Sequence, residues 1–233
     1  MTVRCKPPAA RRLSRAFDMV VSLAALILLA PLFALCALLI LVDDGPPVLF
    51  RQTRIGRHGA PFTILKFRSM QTGHRGVPLT VSRDSRVTRV GAWLRALKID
   101  ELPQLLNVLH GSMSLIGPRP EVPEYVEFDD EIWREVLELR PGITDLASLA
   151  FRHEEAVLAS AVDPVEHYRS VVLPEKLRLN LQYQRSRSFV LDLKLLCMTA
   201  RYSFFPGGFD RDRILTALGA SESAAGTPVN VRV

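Results

Sequence analysis

From Met19 to Val42 the chain runs 24 residues without a charged side chain, interrupted only by Ser22 and Pro31. A helix that crosses a bilayer needs roughly 20 apolar residues. A core helix of a globular protein rarely stays apolar on every face for so long. The segment therefore belongs in a membrane. It exceeds the roughly 7–15 apolar residues of a secretory signal, and Leu35 stands beside Cys36 where a lipoprotein cleavage site wants a small residue.

Pro31 divides the segment into apolar arms of 12 and 11 residues. At 1.5 Å per residue each arm reaches about 18 Å, little more than half of a ~30 Å hydrocarbon core. Proline removes a helical hydrogen bond and clashes with the preceding turn, so a kink is expected there. Arg4, Lys6, Arg11, Arg12 and Arg15 precede the segment, and Arg51, Arg54, Arg57, Lys66 and Arg68 follow it. Cytoplasmic flanks carry the Lys/Arg excess, so neither end is marked for export. The favoured reading is a re-entrant helix–break–helix with both flanks cytoplasmic; a kinked single span is the alternative.

Charge is unevenly placed. Residues 1–120 hold 17 Lys/Arg against 6 Asp/Glu, and residues 121–233 hold 13 against 18. The basic half suits an anionic partner. Nucleic acid is a poor candidate, because aromatic residues are only 7% and none form a stacking platform among the basic ones. A phospholipid surface or a phosphorylated substrate fits better. Three scattered cysteines give no disulfide framework or zinc spacing. Nucleotide-binding, zinc-protease and serine-hydrolase fingerprints are all missing. His58, His74, His110, His153 and His167 are scattered and are assigned no catalytic role.

The expected class is α+β, mostly helical. Residues 48–55 and 61–70 read as a β-hairpin around the turn Gly56–Ala60. Residues 71–83 read as a polar loop. Helical spacing recurs through Val87–Leu97 and Leu102–Leu109, with Gly111 as the stop. Residues 121–138 read as an acidic helix, 153–185 as shorter helices and Ser188–Phe205 as a last apolar helix. Four segments result: a basic cytoplasmic N-terminus at 1–18, the membrane segment at 19–42, a catalytic domain at 43–205, and a tail at 206–233 expected to be partly disordered.

Two features could carry chemistry. Asp100 and Glu101 open a helix directly after Arg86, Arg89, Arg95 and Lys98. Neighbours on a helix diverge by about 100°, so the acids could serve two separate roles, one aimed at a phosphorus and one at a metal or proton. They could equally be capping and first-turn residues ahead of Pro103. Arg119, fixed between Pro118 and Pro120, presents a fork suited to phosphate oxygens.

Phe50-Arg51-Gln52-x-Arg54-x-Gly56, Phe62-x-Ile64-x-Lys66-Phe67-Arg68-Ser69-Met70, Asp100-Glu101-Leu102-Pro103-Gln104-Leu105-x-Asn107-Val108, Gly111-x-Met113-Ser114-Leu115-x-Gly117-Pro118-Arg119-Pro120-Glu121 and Arg140-Pro141-Gly142-Ile143-Thr144 stand in this order. Over roughly residues 12–205 the chain closely resembles the monotopic phosphoglycosyl transferases, bacterial sugar transferases that start glycan assembly on a polyprenyl phosphate. The resemblance implies a re-entrant helix broken at Pro31, a small cytoplasmic domain with interfacial amphipathic helices, a UDP-sugar donor, undecaprenyl phosphate as acceptor and Mg²⁺. It implies Asp100 as nucleophile, Glu101 as metal partner or base, both acids at the metal, and phosphate contacts from Arg95, from Arg119 with its flanking Pro118 and Pro120, and from Lys66 and Arg68 of the hairpin motif. Its setting would be the cytoplasmic face of a bacterial inner membrane, at the first membrane step of exopolysaccharide, capsule, O-antigen or glycoconjugate assembly. Membrane phospholipid, downstream glycosyltransferases and a second copy of the chain are further partners to consider. The sugar is left open. Ala30-Pro31, Asp84-Ser85-Arg86, Ile143-Thr144-Asp145 and Ala147-Ser148 depart from the sequences common among relatives. The reading from a different class is a non-catalytic membrane-bound adaptor for anionic lipid or glycan-assembly partners.

Overall fold

The computed structural model describes residues 8–71, 84–205 and 207–219, and the side chains from residue 14 on except that of 204. Most of the polar loop read at 71–83 and the end of the tail lie outside the described residues. Two helices, α1 (Pro8–Leu28) and α2 (Ala30–Asp44), meet at Leu29. Their apolar portions, Ser14–Leu28 and Ala30–Asp44, are bent by 61°. Among the described residues no single helix is long and apolar enough to cross a membrane, although this bent pair passes by length and composition. Pro31 was expected at the kink itself. It occupies the second position of α2, where a missing N–H costs nothing, and the break falls two residues earlier. Met19, Val20, Leu23, Ile27 and Leu28 of α1 and Leu35, Leu38, Leu41 and Val42 of α2 are exposed. So large an uncovered apolar surface marks a membrane or partner contact.

Side chains fasten this pair to the rest of the chain. The Arg15 guanidinium donates to the carbonyls of Val108 and Leu109. The Asp18 carboxylate accepts from Ser114 Oγ at 2.7 Å. Asp43 accepts from the Val90 backbone N–H at 3.0 Å. Cys36 and Ile40 pack with Phe67, Leu94 and Ile99.

The expected hairpin is present: β1 (Leu49–Ile55) and β2 (Pro61–Phe67) pair antiparallel from Leu49↔Phe67 to Ile55↔Pro61. Then come α3 (Arg89–Ala96), a 3₁₀ turn at Ile99–Glu101 and α4 (Gln104–His110), which ends at left-handed Gly111 as expected. β3 (Ser114–Ile116) pairs in parallel with β4 (Gly142–Thr144), a two-stranded sheet that the sequence pattern did not reveal. The expected long acidic helix at 121–138 is instead a 3₁₀ turn at Pro123–Tyr125 and the short α5 (Glu131–Val136), capped by Asp130. Pro123 disfavours the helical conformation in the residue before it, and Val122 is extended, so no helix runs on from 121.

Further on come α6 (Leu146–Ala150), α7 (Glu154–Ala159), α8 (Pro164–His167), a π-turn over Tyr168–Val172, α9 (Leu173–Ser186), α10 (Phe189–Phe204) and α11 (Arg211–Ala217). The Ser188 side chain caps α10, close to the expected start. α11 falls in the segment read as tail, yet it buries Ile214 and Leu215 in the main core with Leu179, Tyr183 and Leu195. The described residues are mostly helical with two small sheets. Ile99, in the turn that carries Asp100, packs against Cys36 and Ile40 of α2.

Candidate active site

α3 closes at Leu97, and the next residue, Lys98, takes the left-handed conformation with φ 57°. That reversal throws Ile99, Asp100 and Glu101 into one tight turn ahead of α4. Asp100 is only 5% exposed. Its Oδ1 is buried without a hydrogen-bond partner. The capping alternative therefore fails in this structure: Pro103 occupies the N-cap position of α4, and no side chain caps it.

Glu101 has the opposite surroundings. Arg119 grips its carboxylate with both terminal nitrogens, one of them 3.0 Å from Oε2. Lys66 Nζ lies 3.1 Å from Oε1. Burial alone would raise the Glu101 carboxyl, but Arg119 and Lys66 outweigh it and hold the group well below its ordinary value. For Asp100, burial and then the charge of Glu101 raise the carboxyl above 3.8, against the opposing pull of Lys66, Lys98 and Arg95. Adjacent acids are thus separated into one fixed, charge-neutralised group and one open, destabilised group. That division assigns different tasks to the two.

These acids stand on the wall of a polar cavity of about 150 Å³. Arg95, Lys66, Arg119 and Pro120, four of the residues to which the resemblance assigns phosphate contact, line it. Arg95 is paired with Glu155 of α7. The Arg119 loop is itself held: its backbone N–H donates to Asp145 Oδ2 at 3.0 Å. Asp145 is fully buried and caps α6. Two residues fall elsewhere. Arg68 is 3% exposed and directs its guanidinium to the carbonyls of Asp44 and Pro46, each at 3.0 Å, and to the Asp44 carboxylate at 3.2 Å. It closes the C-terminal end of α2, where a cation meets free carbonyls. Pro118 lines a separate small cavity beside Trp133 and Leu137.

The remaining wall was missed by sequence reasoning. Tyr168 donates its hydroxyl to Glu121, and burial first, then Glu121, push its acidity far out of reach, so it stays a donor. Glu121 also meets Arg54 at 3.4 Å. Lys176 is paired with Glu154 at 2.8 Å and lies 3.4 Å from the Tyr168 oxygen. An isolated Tyr or Lys some 70 residues downstream of the acids carries no local signature; only the fold brings them here.

A second cavity of about 440 Å³ adjoins the first. Lys98, Glu101, Arg119, Glu154, Glu155 and Lys176 line both. The second is mainly apolar and reaches Leu29 and Leu32, the break between α1 and α2, past Leu102, Leu105 and Leu149. Arg152 also lines it. The arrangement joins a charged chamber with an open carboxylate to an apolar channel at the bent helix pair.

Divalent ions such as Mg²⁺ are often held by one or two carboxylates together with substrate phosphates. Asp100 offers a free buried oxygen for that use. Both Glu101 oxygens are occupied by cations, and among the described residues no three Asp, Glu, His or Cys side chains form a metal cluster. The donor set therefore fits an ion held by Asp100 and by substrate.

Comparison with known proteins defines the class. The family described as bacterial sugar transferase matches residues 9–206. The chain belongs to this family. It is 40% identical over 201 residues to an undecaprenyl-phosphate glucose phosphotransferase of Komagataeibacter xylinus, covering 82% of this chain but 36% of that protein. It is 40% identical over 190 residues to a UDP-glucose:undecaprenyl-phosphate glucose-1-phosphate transferase of Caulobacter vibrioides, covering 79% of this chain and 67% of that one. The sugar transferase EpsL of Bacillus subtilis, described as uncharacterized, is 34% identical over 205 residues, 88% of this chain and 94% of its own. The chain thus spans about a third of the first relative's length and nearly all of the last.

Proposed function

We propose that this chain transfers a sugar-1-phosphate from a UDP-sugar to undecaprenyl phosphate and releases UMP. The observation that carries this reading is the buried, unpartnered Oδ1 of Asp100 in a charged chamber that opens into an apolar channel at the helix break. The names of the Komagataeibacter and Caulobacter relatives supply the substrate class.

In this reading an Asp100 oxygen attacks the sugar-bearing phosphorus of the donor. The bond from that phosphorus to the bridging oxygen breaks, and UMP leaves with the electron pair. The sugar phosphate stays on Asp100. A phosphate oxygen of the polyprenyl acceptor then attacks the same phosphorus and releases the carboxylate. Dividing the transfer lets one site meet a soluble and a lipid substrate in turn. Glu101 holds Arg119 and Lys66 in place beside the reacting phosphates, and the apolar channel receives the first isoprenes of the acceptor. A magnesium ion bound through Asp100 and substrate would offset phosphate charge. The bent pair α1–α2 enters and leaves the cytoplasmic leaflet of a bacterial inner membrane, and the product feeds assembly of an extracellular polysaccharide or glycoconjugate.

UMP release from a panel of UDP-sugars, with undecaprenyl phosphate and Mg²⁺, tests the reading. Asp100→Asn should lower it by about three orders of magnitude or more while the protein stays folded. Substantial turnover by this variant would sink the covalent step. Folded wild type that releases no UMP from any donor would favour the adaptor.

A further inference from the structure

The cations around Asp100 are almost all engaged. Arg54 is paired with Glu121, Lys66 and Arg119 with Glu101, Arg95 with Glu155, and Lys176 with Glu154. Any of these must give up or share a carboxylate before it can take a phosphate. Lys98 is the exception on the polar wall: its side chain is exposed, and among the described residues its ammonium has no hydrogen bond or ion pair. It also lines the apolar channel, so it faces the place where the two compartments meet.

Its backbone makes the position more unusual. Among the described residues only His58 and Lys98 are non-glycine with positive φ, and His58 is part of the hairpin turn. A left-handed residue just past a helix end is ordinarily glycine, because a Cβ is strained there. Strain of this kind persists where the surroundings or the function require it. At residue 98 the same turn that strains the backbone sets the ammonium two residues from the open carboxylate.

We propose that Lys98 is the phosphate-docking cation of this site, taking a substrate phosphate at the junction of the chamber and the channel beside Asp100. The inference rests on the transferase reading above and names a contact for it. Two phosphates could fill the position, the diphosphate of the donor and the monophosphate of the acceptor. They share the chemistry and arrive from opposite compartments.

Binding measured without turnover separates the inference from that reading. In an Asp100→Asn background, the affinities for UDP-glucose and for undecaprenyl phosphate in lipid nanodiscs are compared between Lys98, Lys98→Gly and Lys98→Asn proteins. Glycine and asparagine both accept the left-handed backbone, so the two variants should melt at or above the parent's temperature. Loss of a charge-assisted contact should weaken binding about tenfold or more, and Lys98→Arg should restore most of it. Weaker binding of UDP-glucose alone assigns the donor diphosphate, and of undecaprenyl phosphate alone the acceptor. Weakening of both places the two phosphates at one position in successive steps. Unchanged affinity for both probes, in variants that melt normally, overturns the proposal. UMP release by the wild-type enzyme is read separately and decides only the reaction class.

Discussion

A buried carboxylate oxygen without a hydrogen-bond partner is an energetic defect, and the fold carries one at Asp100 Oδ1. Burial and the neighbouring Glu101 charge both disfavour its ionised form. Asp100→Asn keeps the shape and removes the charge. At pH 7 the variant should therefore be more stable than wild type by about 1 kcal/mol, a rise of about 2–4 °C in melting temperature for a chain of this size. The sign with pH follows from linkage. A carboxyl whose folded pKa is raised destabilises the native state where it is ionised, and that penalty vanishes once both states are protonated. The gain from Asp100→Asn should shrink as pH falls through the raised folded value and disappear below about 3.8. Melting curves of both proteins between pH 7 and pH 3.5 check this. A variant less stable than wild type at pH 7 would show that an unseen partner satisfies Asp100. At this scale the sequence displayed the acid pair but not the difference between its members. That difference comes from Lys66 and Arg119, supplied by β2 and by the loop after β3.

At the scale of elements, the legible parts were those with local causes. The hairpin follows from two β-rich runs around a glycine turn, α4 from leucine spacing and Gly111, and α10 from Ser188 and a long apolar run. The parallel pair β3–β4 was hidden. Each strand has three residues, and Gly117 and Gly142 cross so closely that a Cβ on either would strike the other chain segment. Nothing in either short run predicts its distant partner. The pairing nevertheless sets the site, because it lays Asp145 beside the Arg119 backbone. Asp145 also accepts from the Ser148 N–H as the cap of α6. Asp145→Ala removes a cap, worth about 1 kcal/mol, and strands the Arg119 N–H, worth about 1–3 kcal/mol more. A loss of about 2–4 kcal/mol in urea unfolding is expected, with a fall in kcat as Arg119 loosens from Glu101. Asp145→Asn keeps only one acceptor oxygen and turns its NH2 toward the other backbone N–H, so it should recover one of the two hydrogen bonds and only part of the loss. Equal losses in the two variants would mean that the charge, not the hydrogen bonds, holds the loop.

At the scale of the molecule, the uncharged stretch and its basic flanks were legible at once, because hydropathy and charge are properties of composition. The position of the break was less so. It lies at Leu29 rather than at Pro31, since proline is better accommodated in the first turn of α2 than at the hinge itself. A 61° bend matters for topology, because it directs two short apolar arms away from a common axis. Arg15, Asp18 and Asp43 tie both arms to the same body, at α4, β3 and α3. A helix pair anchored at both ends to one domain has little freedom to place those ends on opposite sides of a bilayer. Both flanks should therefore share one side, which their Lys/Arg excess makes the cytoplasm. With Cys36 and Cys197 replaced by alanine, native Cys5 reports on the chain before the segment, and Ala60→Cys in the hairpin turn reports on the chain after it. A membrane-impermeant maleimide should label both positions in inverted inner-membrane vesicles and neither in right-side-out ones. Labelling of Cys5 and of the residue-60 cysteine in vesicles of opposite orientation would establish a kinked single span. The hydrogen bonds from Arg15, Asp18 and Asp43 could not then all persist in the membrane, because they hold both arms to one body.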